Sequence, residues 1–112
     1  MTIVFILLII EKPNFIKQLR KMDDDRALDV LISLKGIGIW SANIFRMFHL
    51  RHADVFPYGD VSLERSILLL YGIEIDRKHR GAEDLISLWA PFRSVASIYL
   101  WEWLDQGQPN IY

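Results

Sequence analysis

The chain has no cysteine among its 112 residues. This absence excludes disulfide bonds, thiolate zinc sites, iron–sulfur clusters held by the chain's own cysteines, and a cysteine nucleophile. Proline and glycine are scarce, with 4 and 6 residues, and no low-complexity linker divides the chain. Neither sign of charge dominates, because 13 Lys and Arg face 14 Asp and Glu for a formal net charge of −1. Any surface for nucleic acid must therefore be a local patch.

Apolar residues, in contrast, are plentiful. They make up 52% of the chain, and the mean hydropathy is +0.18. This composition argues against disorder, because burial of so many side chains offsets the entropy lost on folding. With 112 residues, the length fits one compact domain or part of one.

The longest uninterrupted apolar run lies near the start of the chain, from Ile3 to Ile10. It is well short of the roughly 20 residues that a membrane-spanning helix needs. It also lacks the basic region and small-residue cleavage site of a signal peptide. We expect this run to be buried, as a strand or as a helix, since its periodicity does not separate the two. We therefore distinguish an apolar segment, residues 1–14, from a domain spanning residues 15–112.

Apolar residues at helical spacing, together with residues that typically begin or end helices, predict several helices. Asp23 to Asp25 offer N-caps for one helix, and Gly36 and Gly38 end it before the next begins near Ile39. Asp60 caps a further helix, which Gly72 ends. The last third predicts a short helix over residues 82–89 and a longer one from Pro91, as its first residue, to about Leu104. No segment keeps apolar and polar residues in alternation, so the predicted fold class is all-α, with about five or six helices.

The glycines between the first two of these helices suggest a specific use. The segment Leu34-Lys35-Gly36-Ile37-Gly38 forms a very short hairpin whose glycines let another molecule approach the backbone. The N–H groups that begin the next helix would then bind a phosphate oxygen, and Lys35 would add positive charge. A helix-hairpin-helix motif grips a DNA backbone in this way without contacting bases. The alternative is an ordinary corner between two helices that needs glycine for its backbone angles.

Asp60 is the second candidate site residue. Its carboxylate follows Pro-Tyr-Gly at a predicted helix start and can project into a cleft. The more common role of an aspartate at such a position is to cap the helix. The two roles are compatible, because one oxygen can cap the helix while the other faces a ligand.

Large aromatic residues gather around the final helix, and we expect most of them in the core. Trp101 and Trp103 cannot both face inward on one helix, so we expect at least one to be exposed or to line a cleft, where an indole can stack on a planar base. His49 and His52 are three residues apart but have no third ligand at a credible spacing for a metal. The basic cluster Arg77-Lys78-His79-Arg80 is either a solvated loop or a loop that faces DNA.

Three motifs in order resemble the helix-hairpin-helix DNA glycosylases, in their 3-methyladenine DNA glycosylase II branch. The first, Leu34 to Asn43 with the sequence LKGIGIWSAN, is similar to the family's L-x-G-I-G-x-W-T-A hairpin. The second, Asp54 to Asp60 with the sequence DVFPYGD, is similar to D-V-F-P-x-x-D. The third, Trp89 to Ser94 with the sequence WAPFRS, resembles W-x-P-[WYF]-R-S and continues through Tyr99-Leu100-Trp101. The resemblance covers roughly Phe15 to Asp105.

The resemblance implies a monofunctional N-glycosylase of base-excision repair that removes alkylated purines such as 3-methyladenine from double-stranded DNA. Asp60 falls on the family's catalytic aspartate, and Trp40 and Trp101 fall in its substrate-base cleft. Trp40 also stands where bifunctional relatives carry a lysine that forms a Schiff base, which indole cannot form. Lys35, Gly36 and Gly38 match the phosphate-binding hairpin.

The resemblance also implies that no cofactor is required. The main-chain carbonyls of Ile32, Leu34 and Ile37 match a site for a structural sodium or potassium ion. The expected partner is DNA, with no membrane, in the cytoplasm at the nucleoid of a prokaryote or in the nucleus of a eukaryote. Family members carry a further N-terminal half, which nothing before Phe15 resembles. The alternative function is therefore that of a non-catalytic DNA-binding remnant of such an enzyme.

Overall fold

The computed structural model describes residues 10–107 and is helical. The apolar run at the start of the chain lies outside these residues except for Ile10, whose side chain is 71% exposed, contrary to its expected burial. The described part contains no strand and confirms the all-α prediction. It also contains no helix long and apolar enough to cross a membrane. The helices are α1 (Pro13–Lys21), α2 (Asp24–Ile32), α3 (Ile39–Phe48), α4 (Val61–Tyr71), α5 (Glu83–Leu88) and α6 (Arg93–Asp105).

Two of the predicted N-caps are confirmed by their hydrogen bonds. An oxygen of Asp23 accepts the Arg26 N–H at 2.9 Å, and an oxygen of Asp60 accepts the Leu63 N–H at 3.0 Å. Each aspartate thereby satisfies one of the N–H groups that a helix start leaves without an intrahelical partner. Gly72 ends α4 with a φ of +67°, a left-handed conformation that favours glycine.

The start of α6 differs from the prediction. The helix begins at Arg93, two residues after Pro91. The Arg93 N–H donates to Asp54 at 3.2 Å, and the Ser94 N–H donates to the carbonyl of Ala53 at 2.9 Å. The helix start is thus fixed by acceptors from a loop about forty residues earlier in the chain, which local sequence signals do not reveal.

Within residues 10–107, the core contains two hydrophobic clusters of mainly aliphatic residues. The first cluster joins α1, α2, the hairpin and α3, and its buried members are Ile16, Leu19, Ala27, Leu31, Ile37, Ala42 and Phe45. The second cluster joins the 54–60 turn to α4, α5 and α6, and its buried members are Phe56, Leu63, Ile67, Ala82, Ile86 and Leu100. The segment between α3 and α4 therefore connects two packing units, and the candidate site residue Asp60 lies at its end.

The large aromatic side chains around the final helix are at most partly buried, contrary to the expectation that most of them lie in the core. Trp40 is 39% exposed, Phe92 60% and Tyr99 68%. Trp89, Trp101 and Trp103 are only partly buried. Aliphatic side chains together with Phe45 and Phe56 already fill the interior of so small a domain, which leaves these other rings on the surfaces between helices.

Candidate functional site

The carboxylate of Asp60 is held by donors from three helices. Its Oδ1 accepts the indole N–H of Trp40 at 3.1 Å, and its Oδ2 accepts the indole N–H of Trp101 at 2.9 Å. The Leu63 N–H of the first turn of α4 donates to the same Oδ2 at 3.0 Å. Such bonds to an ionised acceptor are stronger than bonds between neutral groups, so the orientation of the carboxylate is well fixed. Asp60 is partly buried and keeps access to solvent.

These bonds bring together three residues that the sequence singled out separately. Trp40 is the second residue of α3 and follows the hairpin, Asp60 precedes α4, and Trp101 lies in the middle of α6. The start of α3 and the carboxylate therefore lie within the length of one indole side chain. The roles of these residues in catalysis or base binding remain predictions, because geometry alone does not test them.

The two hairpin glycines meet different requirements. Gly36 has a φ of +86°, which a residue with a Cβ adopts only with strain. Gly38 has an ordinary φ of −89° and serves as the N-cap of α3 without a side-chain hydrogen bond. A Cβ added at Gly38 would meet nothing within 4 Å, so the space over this helix start is open. The side chain of Ile37 between them is buried and anchors the hairpin, while Lys35 is exposed.

The end of α2 and the hairpin that follows it offer carbonyls for the cation that the resemblance implies. The carbonyl of Leu34 accepts the Ile37 N–H at 3.2 Å, and its second lone pair remains for another partner. Carbonyls at a helix end, such as that of Ile32, have no intrahelical donor. Uncharged oxygens of this kind suit a weakly held monovalent ion. Among residues 10–107, no group of three or more His, Cys, Asp or Glu side chains is arranged to hold a metal.

Phe48 is a residue of this surface that sequence analysis did not select. Its side chain is 51% exposed, and its ring stacks on that of Trp101, with centroids 5.9 Å apart. Phe48 is the last residue of α3. This position at the helix end was the sequence feature that could have indicated an exposed ring. Trp101 thus has a hydrogen bond to Asp60 at its indole edge and an aromatic neighbour on its face.

His49 and His52 do not form a metal site. The ring of His49 stacks on Phe45, with centroids 4.8 Å apart. His52 Nδ1 accepts the Nε–H of the buried Arg46 at 3.4 Å, and His52 Nε2 lies 3.5 Å from an Asp24 oxygen. Burial lowers the pKa of His52, with Arg46 acting in the same direction and Asp24 against it. The imidazole is therefore a neutral structural bridge between α3 and α2.

Two cavities lie outside the Asp60 site. One, of about 380 Å³, lies between α4 and α6 and is lined by Leu70, Trp89 and Trp103 among others. The other, of about 420 Å³, is lined by Phe48, Arg51 and Ser94 among others. Asp60, Trp40 and Trp101 line neither.

Comparison with known proteins gives relatives that are named as DNA glycosylases or as similar to them. No family model matches the chain. It is 40% identical over 87 residues to the DNA-3-methyladenine glycosylase of Bacillus subtilis, a match of 76% of this chain and 28% of that protein. It is 25% identical over 85 residues to the alkylbase DNA glycosidase-like protein mag2 of Schizosaccharomyces pombe, a match of 76% of this chain and 40% of that protein. The chain thus spans less than half the length of these curated relatives.

A solved structure agrees with the sequence matches. The DNA-3-methyladenine glycosidase of Bacillus halodurans is similar with a TM-score of 0.62 and 34% identity, over 78% of this chain and 40% of that one. The all-helical fold and the order of the three motifs are consistent with this likeness. By sequence and by fold, the chain is a relative of part of the DNA-3-methyladenine glycosylases, within the helix-hairpin-helix DNA glycosylase superfamily.

Proposed function

We propose that this chain carries the catalytic carboxylate and the DNA-binding hairpin of a monofunctional glycosylase that removes alkylated purines from double-stranded DNA. The observation that supports this most directly is the carboxylate of Asp60, fixed by the indole N–H groups of Trp40 and Trp101. An anion so oriented and still accessible suits the stabilisation of positive charge that develops in a reaction. The names of the similar proteins supply the substrate class.

The chemistry follows from charge. As the bond between C1′ and the base nitrogen breaks, the electron pair leaves with the base and positive charge develops on the sugar ring. The Asp60 carboxylate would lower this barrier by electrostatic attraction, and water would then add at C1′. A 3-alkylated adenine is already cationic and leaves as a neutral base, so one carboxylate suffices. The nucleotide must first rotate out of the duplex, because a stacked sugar bond is beyond the reach of this side chain.

Trp40 supports a monofunctional reaction. Its indole donates to Oδ1 of the carboxylate, and by the resemblance it stands where bifunctional relatives carry a lysine, whose amine an indole cannot replace in forming an imine with the sugar. The product would be an abasic site, and no strand cleavage through a Schiff base would follow.

The hairpin would hold the DNA backbone beside the lesion. The start of α3 has no side-chain cap, and the open space at Gly38 lets a phosphate approach its first N–H groups. The positive end of the helix dipole and the exposed Lys35 add attraction. A sodium or potassium ion on the carbonyls of Ile32, Leu34 and Ile37 would add further positive charge to this corner. DNA as the partner implies that the protein works where the chromosome is, without a membrane.

Substitution of Asp60 tests the catalytic proposal. Asp60→Asn keeps an oxygen that caps α4. Its amide NH₂, however, replaces the oxygen that accepts the indole N–H of Trp40, so two donors would face each other. We expect release of 3-methyladenine from alkylated duplex DNA to fall by a factor of about 10² or more. DNA affinity and cooperative unfolding should persist.

The control is the wild-type chain on the same DNA. A folded wild-type protein that binds DNA but releases no base would contradict catalysis and leave the non-catalytic DNA-binding alternative. Equal release by wild type and Asp60→Asn would show that another group carries the reaction.

A further inference from the structure

The basic cluster that sequence analysis left open is attached to the start of the helix that Asp60 caps. We call residues 76–81 the basic loop. The side chain of His79 contacts α4, where its Nδ1 lies 2.7 Å from an oxygen of Glu64. Glu64 is in the first turn of α4, and its N–H donates to the carbonyl of Asp60 at 3.1 Å. The His79 ring also lies 3.6 Å from the position of a Cβ on Gly59. The loop is therefore attached to the turn that presents Asp60.

The loop has a defined shape. The Asp76 N–H donates to the Arg80 carbonyl at 2.8 Å, and the His79 N–H donates to the Asp76 carbonyl at 2.9 Å. One Asp76 oxygen accepts the N–H groups of Lys78 and Arg80, at 2.8 and 3.0 Å. These bonds between residues of one turn fix the backbone before any ligand arrives, which reduces the entropy lost on binding.

Two acidic side chains of this region, Asp76 and Glu83, face the loop's own backbone. Asp76 binds two N–H groups and pairs with Arg80 at 3.4 Å, and both oxygens of Glu83 lie 3.0 Å from the Gly81 nitrogen. Hydrogen bonds from Arg80 and Lys78 lower the pKa of Asp76, so its carboxylate stays ionised while it caps the turn. Arg77 and Lys78 are exposed. The loop thus presents two adjacent exposed cations, while its His79 contacts Gly59 and the first turn of α4.

We propose that the basic loop is a second DNA-backbone contact, in which Arg77 and Lys78 bind phosphates near the lesion on the Asp60 side of the site. This inference rests on the proposed function for its partner and adds a contact separate from the hairpin. The hairpin lies at the start of α3 and the loop at the start of α4, so a backbone held at both would place the lesion's sugar over the carboxylate between them. Such contacts orient DNA without recognising bases.

The salt dependence of DNA binding tests the proposal. Affinity of the full chain for an undamaged fluorescent duplex is measured at several salt concentrations, for wild type and for Arg77→Ala with Lys78→Ala. Log K falls as log salt rises, and each lost phosphate contact makes this negative slope shallower by about 0.9. We expect the slope of the double variant to be shallower by about 1.8. The substituted side chains make no bond that shapes the loop, and cooperative thermal unfolding confirms folding.

Two controls separate a local contact from a change in net charge. Arg77→Lys with Lys78→Arg keeps both charges and should keep the wild-type slope. Lys17→Ala with Lys21→Ala removes two charges from α1 and should change the slope much less than the loop variant. A wild-type slope in Arg77→Ala with Lys78→Ala would overturn the proposal, as would equal slopes for the loop and α1 variants.

Base release by wild type, measured in parallel, distinguishes this proposal from the function on which it rests. Release with an unchanged slope in the loop variant refutes the loop contact alone. A shallower salt slope in the loop variant, together with no base release by wild type, refutes catalysis and supports the loop as a DNA contact.

Discussion

At the scale of single residues, the site depends on hydrogen bonds to one carboxylate. Asp60 accepts two indole N–H groups and one backbone N–H. The backbone bond stabilises the helix, whereas the indole bonds fix the direction of the oxygens. Trp40 and Trp101 are therefore expected to position Asp60 in addition to any contact with a base.

Replacement of one indole separates positioning from stacking. Trp101→Phe keeps an aromatic ring beside Phe48 but removes the donor to Asp60 Oδ2. The loss of a hydrogen bond to a charged group is worth about 1.5 kcal/mol, so single-turnover release of 3-methyladenine should slow about tenfold. DNA affinity should change little. Trp103→Phe, two residues along α6 and therefore on another face, is the matched control and should leave the rate unchanged.

At the scale of elements, the start of α3 is the critical feature of the hairpin. Gly36 is required by its positive φ, and Gly38 is required only if something must approach α3. Stability and DNA binding should therefore respond differently at these two positions.

Capping of α3 by a side chain tests the phosphate site. Gly38→Asp places a good N-cap at an ordinary φ, with open space for its Cβ, so chemical denaturation should show equal or greater stability. The new carboxylate would occupy the N–H groups that a phosphate needs and repel it, so DNA affinity should fall at least tenfold. Gly38→Ser is the neutral comparison and should weaken binding less. Unchanged affinity in both variants would exclude the hairpin as a DNA contact.

The bridge between α2 and α3 gives folding a pH dependence. Burial lowers the pKa of His52, so the unfolded chain binds a proton at this residue more readily than the folded one. Its contribution to stability is therefore full above the ordinary histidine pKa of about 6.5 and is lost as the pH falls toward the lowered value. In urea titrations, wild type should lose stability between about pH 7 and pH 5.

His52→Gln is the control for this prediction. Glutamine can accept from Arg46 and donate toward Asp24 without titrating, so its stability should vary less over the same interval. An equal slope in both proteins would assign the pH dependence to other groups.

At the scale of the whole molecule, a polar link crosses between the two core clusters. Arg93 at the start of α6 binds Asp54 through its Nε at 2.7 Å and its Nη2 at 2.9 Å, and the Ser94 hydroxyl donates to the His52 carbonyl at 2.7 Å. These bonds orient the 54–60 turn, and with it Asp60, relative to both clusters. The link joins Arg93 of the third motif to Asp54 of the second motif, although the two residues are 39 positions apart in the chain.

Removal of the ion pair should weaken the whole fold. Bonds from Arg93 lower the pKa of Asp54, so its contribution to stability is present above the ordinary aspartate pKa of about 3.9 and is lost as the pH falls below it. At neutral pH, Asp54→Asn should reduce the free energy of unfolding by about 2 kcal/mol in urea titrations. Asp29→Asn, at an exposed position of α2, is the control and should have little effect. Equal stability of the Asp54 variant and wild type would mean that the clusters hold together without this pair.

The sequence by itself determined the helical fold, several helix ends and the three residues that meet at the site. Asp23, Asp60 and Gly72 act within a turn of their own position, where a side chain or a permissive φ decides the outcome, so local patterns predict them. Only the tertiary structure decided that α6 begins at Arg93, that Phe48 stacks on Trp101, that the large rings around α6 are at most partly buried and that the basic loop contacts α4. Each of these depends on contacts between residues at least ten positions apart, whose geometry exists only after the helices have packed.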